Sequence, residues 1–100
     1  MYTTTLMAGQ RILVTGGGFA LSPSPEFLTL SVGKAAVRAM TLALFPALKE
    51  RGVHVATVTV AQLVAPESSA ADEVAEAFWQ LHSQPPGHWT PEVAFPAVSP

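Results

Sequence analysis

Residues 27–51, FLTLSVGKAAVRAMTLALFPALKER, constrain the fold of this chain more than any other stretch. Apolar side chains fall on nearly every side of the helix that this stretch predicts, so neighbouring elements must cover several of its faces. A short apolar run at 11–15 precedes the helix, and a β-branched run at 53–60 follows it directly. A strand, a helix and a strand in that order predict a parallel β–α–β unit.

The rest of the chain continues this alternation. The glycines at 16–18 are expected to end the first strand, and Ser69 is expected to begin a second helix with Asp72 as its capping partner. Residues 92–95 lie between two prolines and predict a short last strand. We therefore predict an α/β fold with a partial Rossmann-like parallel sheet, in the order strand, helix, strand, helix, short strand, as a single domain over residues 1–100.

Local signals predict where the elements end. The segment SPSPE at 22–26 offers a serine cap, a proline for the first helical turn and an acidic side chain near the helix start. Pro46 removes one backbone hydrogen bond and predicts a kink or a break, while Gly52 predicts the C-terminal cap. We expect residues 1–10 to fray and residues 83–100 to form a proline-rich tail.

Composition narrows the classes of function. Hydrophobic residues make up 49% of the chain and charged residues 12%, against about a quarter charged in average proteins. The net charge of −2 gives no electrostatic reason to expect nucleic acid or an anionic membrane as a partner. Lys34 and Arg38 would make a membrane span through the long helix costly. The chain has no cysteine, which fits a reducing compartment, and we expect a cytoplasmic location.

The glycine run in ILVTGGGFAL admits two interpretations. Gly16 and Gly18 match the first two glycines of a dinucleotide-binding G-x-G-x-x-G turn, but Leu21 occupies the third position. Such a turn needs a helix N-terminus directly after it, whereas Pro23 and Pro25 intervene here. The alternative, which we favour, is a flexible turn from strand to loop that lines a crevice.

The segments GQRILVTGGGFA, LSVGKAAVRAMTLAL and RGVHVATVTVA together resemble the C-terminal half of a short-chain dehydrogenase/reductase of an atypical branch. The resemblance covers most of residues 9–82. It implies NAD or NADP as cofactor and hydride transfer to or from a carbonyl or an alcohol. It also implies a serine-bearing loop after one strand and a Tyr-x-x-x-Lys motif on the following helix.

Only part of that machinery matches here. Lys34 corresponds to the lysine, so the resemblance implies that it contacts the cofactor, together with Leu63 in the loop after the second strand. Leu30 occupies the tyrosine position, and Gly16 or Gly17 occupies the serine position. Leucine and glycine side chains carry no proton to exchange, so we assign no catalytic residue and expect the chain alone to be inactive.

Ser31 offers the nearest hydroxyl to Lys34, but a serine alkoxide is far harder to form than a tyrosine phenolate near pKa 10. The half of the fold that carries the phosphate-binding turn is not in this sequence, so we expect a truncated member or a chain that a partner completes. The alternative is a non-catalytic assembly module that forms a homo-oligomer through helix 27–51 or the edge strand at 11–15. A stripe of small residues on the helix favours close approach: Ser31, Ala35, Ala39 and Ala43.

The histidines give no sign of a metal site. His54, His82 and His88 lack metal-ligand spacing, and no cysteine could assist them. His54 is expected to face solvent at the start of a strand. Lys34 lies on an otherwise apolar helix face, so its ammonium group either reaches solvent along its stem or pairs with a ligand.

Overall fold

The computed structural model describes residues 6–96. These residues form three strands and two α-helices, together with three short 3-10 turns. The five regular elements are β1 (Arg11–Gly17), α1 (Leu28–Glu50), β2 (His54–Val60), α2 (Ser69–Ser83) and β3 (Glu92–Phe95). The strands form one sheet in the order β1-β2-β3, and both pairs are parallel. The predicted α/β fold with a partial Rossmann-like parallel sheet is confirmed, and β3 has the predicted bounds.

β2 is the central and most buried strand. It pairs with β1 from Arg11 opposite His54 to Gly17 opposite Val60, and its first six residues are buried. The expectation that the glycine run would end β1 is wrong for its first two residues. Gly16 and Gly17 remain extended and paired with β2, because they can approach the neighbouring strand without a side chain of their own.

Two apolar clusters hold the helices against opposite faces of the sheet, since alternate residues of β2 point to opposite sides. The cluster beneath α2 contains Ala56, Val58, Ala77 and Leu81. The cluster beneath α1 contains Leu48, Val53 and Val55, with Leu6, Ile12 and Phe45 packed against it. Residues 1–5 of the segment expected to fray lie outside the described residues. Gly9 N–H donates to the Gly52 carbonyl at 2.8 Å, which joins the segment before β1 to the end of α1.

The start of α1 is capped from inside the helix. A 3-10 turn, Pro25–Phe27, precedes Leu28, and Ser24 precedes that turn without a side-chain cap of its own. The hydroxyl of Ser31 accepts the Ser24 N–H at 3.1 Å and donates to the Phe27 carbonyl at 2.8 Å. The SPSPE segment therefore does precede the helix, but the hydroxyl that accepts its backbone N–H belongs to Ser31, inside the first turn of α1.

The end of α1 follows the expectation at Gly52 and departs from it at Pro46. Gly52 has φ of +76°, its N–H donates to the Lys49 carbonyl, and Val53 N–H donates to the Leu48 carbonyl at 2.9 Å. This pattern is a Schellman cap, which needs a residue that tolerates positive φ. Of the kink or break expected at Pro46, the break is wrong, because α1 continues through it to Glu50. Pro46 lies on the exposed face, where water can satisfy the carbonyl that the proline leaves unpaired.

Much of α1 is not covered by the rest of the described chain. Its buried residues are Ser31, Thr41 and Leu48, whereas several large side chains are more than 40% exposed: Leu28, Leu30, Val32, Met40 and Leu44. The segment Pro25–Glu50 is long and apolar enough to span a membrane by length and composition alone, and 11% of its apolar window is buried. The exposed apolar surface formed by Leu28, Val32, Met40 and Leu44, with the alanines at 35, 39 and 43 between them, is called the outer face of α1 below.

α2 begins at Ser69 as predicted, but its cap is Ser68. The Ser68 hydroxyl accepts the Ala71 N–H at 3.1 Å and donates to the Ala65 carbonyl at 2.7 Å. Asp72 is one position too late for the predicted capping role, and its backbone N–H instead donates to the Ser68 carbonyl at 3.2 Å. The serine that caps a helix precedes the first helical residue, so the pattern was displaced by one residue.

His54 is fully buried, so the expectation that it faces solvent is wrong. Its Nε2–H donates to the Thr90 carbonyl at 2.8 Å, and its Nδ1 accepts from Arg11 Nη1 at 3.4 Å. The imidazole stacks on the Trp89 indole with ring centroids 4.9 Å apart. Burial lowers the pKa of His54, the Thr90 carbonyl opposes that shift, and the nearby Arg11 charge adds to it. A neutral histidine therefore attaches the segment before β3 to the sheet.

An ion pair connects α1 to β3 on the side of the sheet that α1 covers. Arg38 donates to both carboxylate oxygens of Glu92, through Nε at 2.8 Å and Nη2 at 3.1 Å. The Thr59 hydroxyl donates to the same carboxylate at 2.6 Å. The Arg38 hydrogen bond holds the pKa of Glu92 below its usual value, partial burial opposes the shift, and Thr59 reinforces it. Arg38 on α1 therefore has a carboxylate partner on β3.

We predict that Glu92→Gln lowers the free energy of unfolding by about 1 kcal/mol at pH 7, since it replaces a charge-assisted, partly exposed pair. Because the folded state lowers the Glu92 pKa, its stabilising effect is complete above the unfolded-state pKa and is lost as pH falls through the folded-state value. Urea unfolding at pH 7 and near pH 3 measures the free energy of unfolding of each protein. The difference in that free energy between wild type and Glu92→Gln should shrink at the lower pH. Glu76→Gln on the exposed surface of α2 is the control, and a pH-independent difference for Glu92→Gln would contradict the ion pair.

Candidate functional site

A cavity of 540 Å³ opens where the carboxyl ends of β1 and β2 meet the start of α1. Its lining comes from the end of β1 and the following turn, from the first turns of α1, and from the end of β2 with the loop after it. The lining residues are Gly16, Gly17, Gly18, Phe19, Leu21, Ser22, Leu30, Lys34, Val60, Ala61, Gln62 and Leu63. Ligands of parallel α/β sheets bind outside the carboxyl ends of the strands, so this is where a binding site is expected.

Lys34 lines this cavity, and its aliphatic stem fixes its position. A Cβ at Gly17 would come within 3.2 Å of Lys34 Cγ, Cδ and Cε, so the stem lies directly against the glycine backbone. Lys34 Nζ donates to the Thr15 carbonyl at 3.3 Å. The lysine is half-buried, and an ammonium group has three N–H donors, so two remain available to other acceptors.

The structure brings the sequence-predicted site residues together. Lys34 and Leu63, the residues that the resemblance implies for the cofactor, both line the cavity, and the Leu63 side chain is fully exposed at its mouth. Leu30, Gly16 and Gly17, which occupy the tyrosine and serine positions of the resemblance, line it as well. The described residues therefore place these five positions at one site, and Lys34 is the one among them with an ionisable side chain.

A Cβ at Gly16 or Gly18 would be too close to a neighbouring residue, and one at Gly17 would press on the Lys34 stem. A Cβ at Gly16 would lie 2.6 Å from Thr57 Oγ1, and one at Gly18 would lie 2.9 Å from Ala61 Cα. The Thr57 hydroxyl is buried and has no hydrogen-bond partner among residues 6–96. A serine at position 16 would therefore press on the Thr57 side chain of β2.

Ser31 and Ser22 differ in whether they line the cavity. Ser31 does not line the cavity, because its hydroxyl is buried and engaged with the backbone of Ser24 and Phe27. Ser22 does line it, and sequence reasoning missed this residue. The signal available was its position just after the glycine run that follows a strand. Tyr2, the sole tyrosine in the sequence, lies outside the described residues.

The glycine run does not form a phosphate-binding turn. Gly16 and Gly17 belong to β1, Gly18 opens a 3-10 turn that ends at Ala20, and α1 begins at Leu28. No helix N-terminus therefore follows the glycines directly, as pyrophosphate binding through such a turn requires. The three glycines do line a cavity, but the favoured interpretation as a turn from strand to loop fits Gly18 alone, since Gly16 and Gly17 are part of β1.

No group of three or more histidine, aspartate or glutamate side chains comes together to hold a metal ion in the part of the chain that the structure describes. His54 has both ring nitrogens engaged, by Thr90 and Arg11. His82 stands beside the exposed Trp79, with ring centroids 5.2 Å apart. The ring nitrogens of His54 are therefore not available to a metal ion.

Comparison with known proteins supports the fold. No protein-family model and no curated protein matches the chain. Among solved structures, it is similar to the crystal structure of a short-chain dehydrogenase from Rhodopseudomonas palustris, with a TM-score of 0.71 and 29% sequence identity. The match covers 92% of this chain and 39% of that chain. This chain thus has the strand and helix arrangement found in part of a short-chain dehydrogenase, and spans well under half of its length.

We predict that Gly16→Ser lowers the free energy of unfolding by about 1 to 3 kcal/mol, because the new side chain must displace a buried neighbour. Thermal or urea unfolding measures this. Gly33→Ser is the matched control, since a Cβ at Gly33 meets nothing within 4 Å and serine is a better helix former than glycine. Adding Thr57→Ala should recover part of the loss at Gly16. Equal stability of the Gly16→Ser and wild-type proteins would show that Gly16 of β1 does not lie against Thr57 of β2.

Proposed function

We propose that this chain is a short-chain dehydrogenase/reductase-like domain that binds the nicotinamide end of NAD or NADP at Lys34 without catalysing hydride transfer by itself. The observation that carries the proposal is the position of Lys34. Its ammonium group reaches a cavity at the carboxyl ends of β1 and β2, beside Leu63. The 29% identity to a short-chain dehydrogenase over 92% of this chain supports the same origin.

The residues present fit one end of such a cofactor. Lys34 has donors free for the hydroxyl groups of a ribose, and the apolar walls near Leu30 and Val60 suit a flat ring. A bound nicotinamide cofactor would supply the hydride that the reaction class needs. The pyrophosphate end has no glycine turn with a helix behind it among residues 6–96, so we expect weak binding.

The same residues explain why we propose binding without catalysis. Proton transfer to a substrate oxygen needs a group whose pKa lies near the working pH. Leu30 and Gly17 have no such group, and Ser31 is turned toward its own helix start. Lys34 can hold and orient an oxygen atom but has no tyrosine beside it to activate. We further propose that the domain acts in the cytoplasm and binds neither nucleic acid nor membrane.

Titration with NADH and NADPH, followed by cofactor fluorescence, tests the proposal. We expect a saturable signal with the wild-type protein and a loss of affinity of about tenfold or more in Lys34→Ala, because hydrogen bonds to a charged group are lost. Lys49→Ala is the control, since Lys49 lies near Phe45 at the other end of α1 and does not line the cavity. Absence of binding by the wild-type protein, or equal binding by Lys34→Ala, would contradict the proposal.

The outer face of α1 supports a second candidate, a homo-oligomeric assembly module. Val32 is 62% and Met40 61% exposed, and small alanines lie between them along the helix. Among the described residues, β1 is an edge strand, with β2 as its neighbour on one side. An apolar helix face and an open strand edge are surfaces through which chains associate. The two candidates are compatible, since the cavity is lined by other residues of α1.

We predict that light scattering coupled to gel filtration gives a mass above that of one chain, and that Val32→Glu combined with Met40→Glu shifts the protein toward the monomer. Charged side chains in an apolar helix contact must be desolvated, which disfavours association. Gln80→Glu on the exposed surface of α2 serves as the control. A wild-type protein that stays monomeric at all concentrations would contradict the assembly candidate.

A further inference from the structure

Among the residues that the structure describes, no carboxylate lines the apolar cavity to balance the Lys34 ammonium group. Of the twelve lining residues, Lys34 is the one with a charge. The ion pair found among residues 6–96 joins Arg38 to Glu92, so that carboxylate is already engaged. The 3.3 Å hydrogen bond to the Thr15 carbonyl provides Lys34 with a neutral acceptor. Charged groups beside apolar surface are more stable when an opposite charge pairs with them.

The walls of the cavity favour an apolar ligand. Nine of the twelve lining residues are glycine or apolar, and the polar ones besides Lys34 are Ser22 and Gln62. The Phe19 ring stacks on the Phe27 ring with centroids 5.3 Å apart, which stabilises one wall. Leu21 and Leu63 are 50% and 100% exposed, so they have apolar surface left for a ligand to cover. The volume of 540 Å³ lies within the range of about 300 to 1,000 Å³ that small-molecule sites occupy.

The charge is also held in place. The stem of Lys34 lies against the backbone of Gly17, where a Cβ would come to 3.2 Å from three of its carbons. A long side chain that is already packed loses less conformational entropy when it binds. A single preorganised cation at the base of an apolar cavity fits one anionic head group on an apolar body.

We propose that this cavity binds an aliphatic monocarboxylate, with the carboxylate on Lys34 Nζ and the hydrocarbon chain among Leu21, Leu30 and Leu63. The inference uses the same cavity as the proposed function and rests on Lys34 facing a ligand there. It goes beyond that function because an aliphatic acid is neither the dinucleotide nor the alcohol or carbonyl compound of the reaction class.

Isothermal titration with octanoate, 1-octanol and octylammonium tests the chemistry of recognition, because the three probes share one chain length and differ in head-group charge. We expect octanoate to bind one molecule per chain and octanol to bind about tenfold more weakly, since the octanol hydroxyl accepts a hydrogen bond from Lys34 without carrying an opposite charge. Octylammonium should bind more weakly still, because its charge is repelled by Lys34.

Variants locate the site. In Lys34→Met, which keeps the length of the side chain, octanoate should lose more than tenfold in affinity, and octanol should lose much less, because octanol forfeits a hydrogen bond but no opposite-charge pair. Lys49→Met and Met40→Gln are the controls, because Lys49 is a cation outside the cavity and Met40 lies on the outer face of α1. Both should bind octanoate as the wild type does. Circular dichroism melting confirms that each variant is folded before titration.

Several results would overturn the proposal: no octanoate binding by the folded wild type, equal octanoate affinity in Lys34→Met, or loss of affinity in Met40→Gln, which would place the ligand on the outer face. The NADH titration keeps the two proposals distinguishable. Octanoate binding without NADH binding supports the aliphatic acid site and removes the proposed cofactor function. NADH binding without octanoate binding supports the proposed cofactor function and removes the aliphatic acid site.

Discussion

The contact between the glycine end of β1 and its neighbours on β2 and α1 sets the shape of this molecule. Gly16, Gly17 and Gly18 lie so close to Thr57, Lys34 and Ala61, respectively, that an added Cβ at each position would come within 3.2 Å of a heavy atom. A side chain at Gly16 or Gly18 would force a neighbouring residue to shift, and one at Gly17 would press on the lysine stem, because packed interiors do not absorb extra atoms cheaply. The same bare backbone provides the floor of the cavity and the support for the lysine stem. Packing and site therefore depend on one contact.

Polar residues fix the relation of the other elements to this contact. On the α1 side, the Arg38 and Glu92 pair with the Thr59 hydroxyl holds β3 beside β2. At the amino ends of β1 and β2, the buried His54 holds the segment before β3 through the Thr90 carbonyl and the Trp89 ring. Each buried polar group in these two clusters has a partner, as burial requires. The Lys34 ammonium donates to the Thr15 carbonyl and also faces a cavity, which is why we propose ligand binding for it.

Much of the fold could be predicted from local pattern, and the exceptions have physical reasons. The β-branched run of β2, the positive-φ glycine at 52 and the prolines around β3 each act through near neighbours in sequence, so their outcomes were predictable. The partner of Arg38 lies 54 residues away, and the stacking of His54 on Trp89 joins residues on different elements. No periodicity encodes such pairs. Gly16 and Gly17 extend β1 because of space beside Thr57, which is a tertiary property that single residues do not reveal.

The most direct test of the central contact is an NMR measurement of proximity in isotopically labelled protein. The account predicts cross-relaxation between the Lys34 side-chain methylene protons and the Gly17 α-protons, together with the backbone pattern of parallel strands for Leu13 beside Ala56. Absence of the lysine to glycine signal in a folded sample, or an antiparallel pattern between β1 and β2, would contradict the arrangement from which the site and both proposed ligands follow.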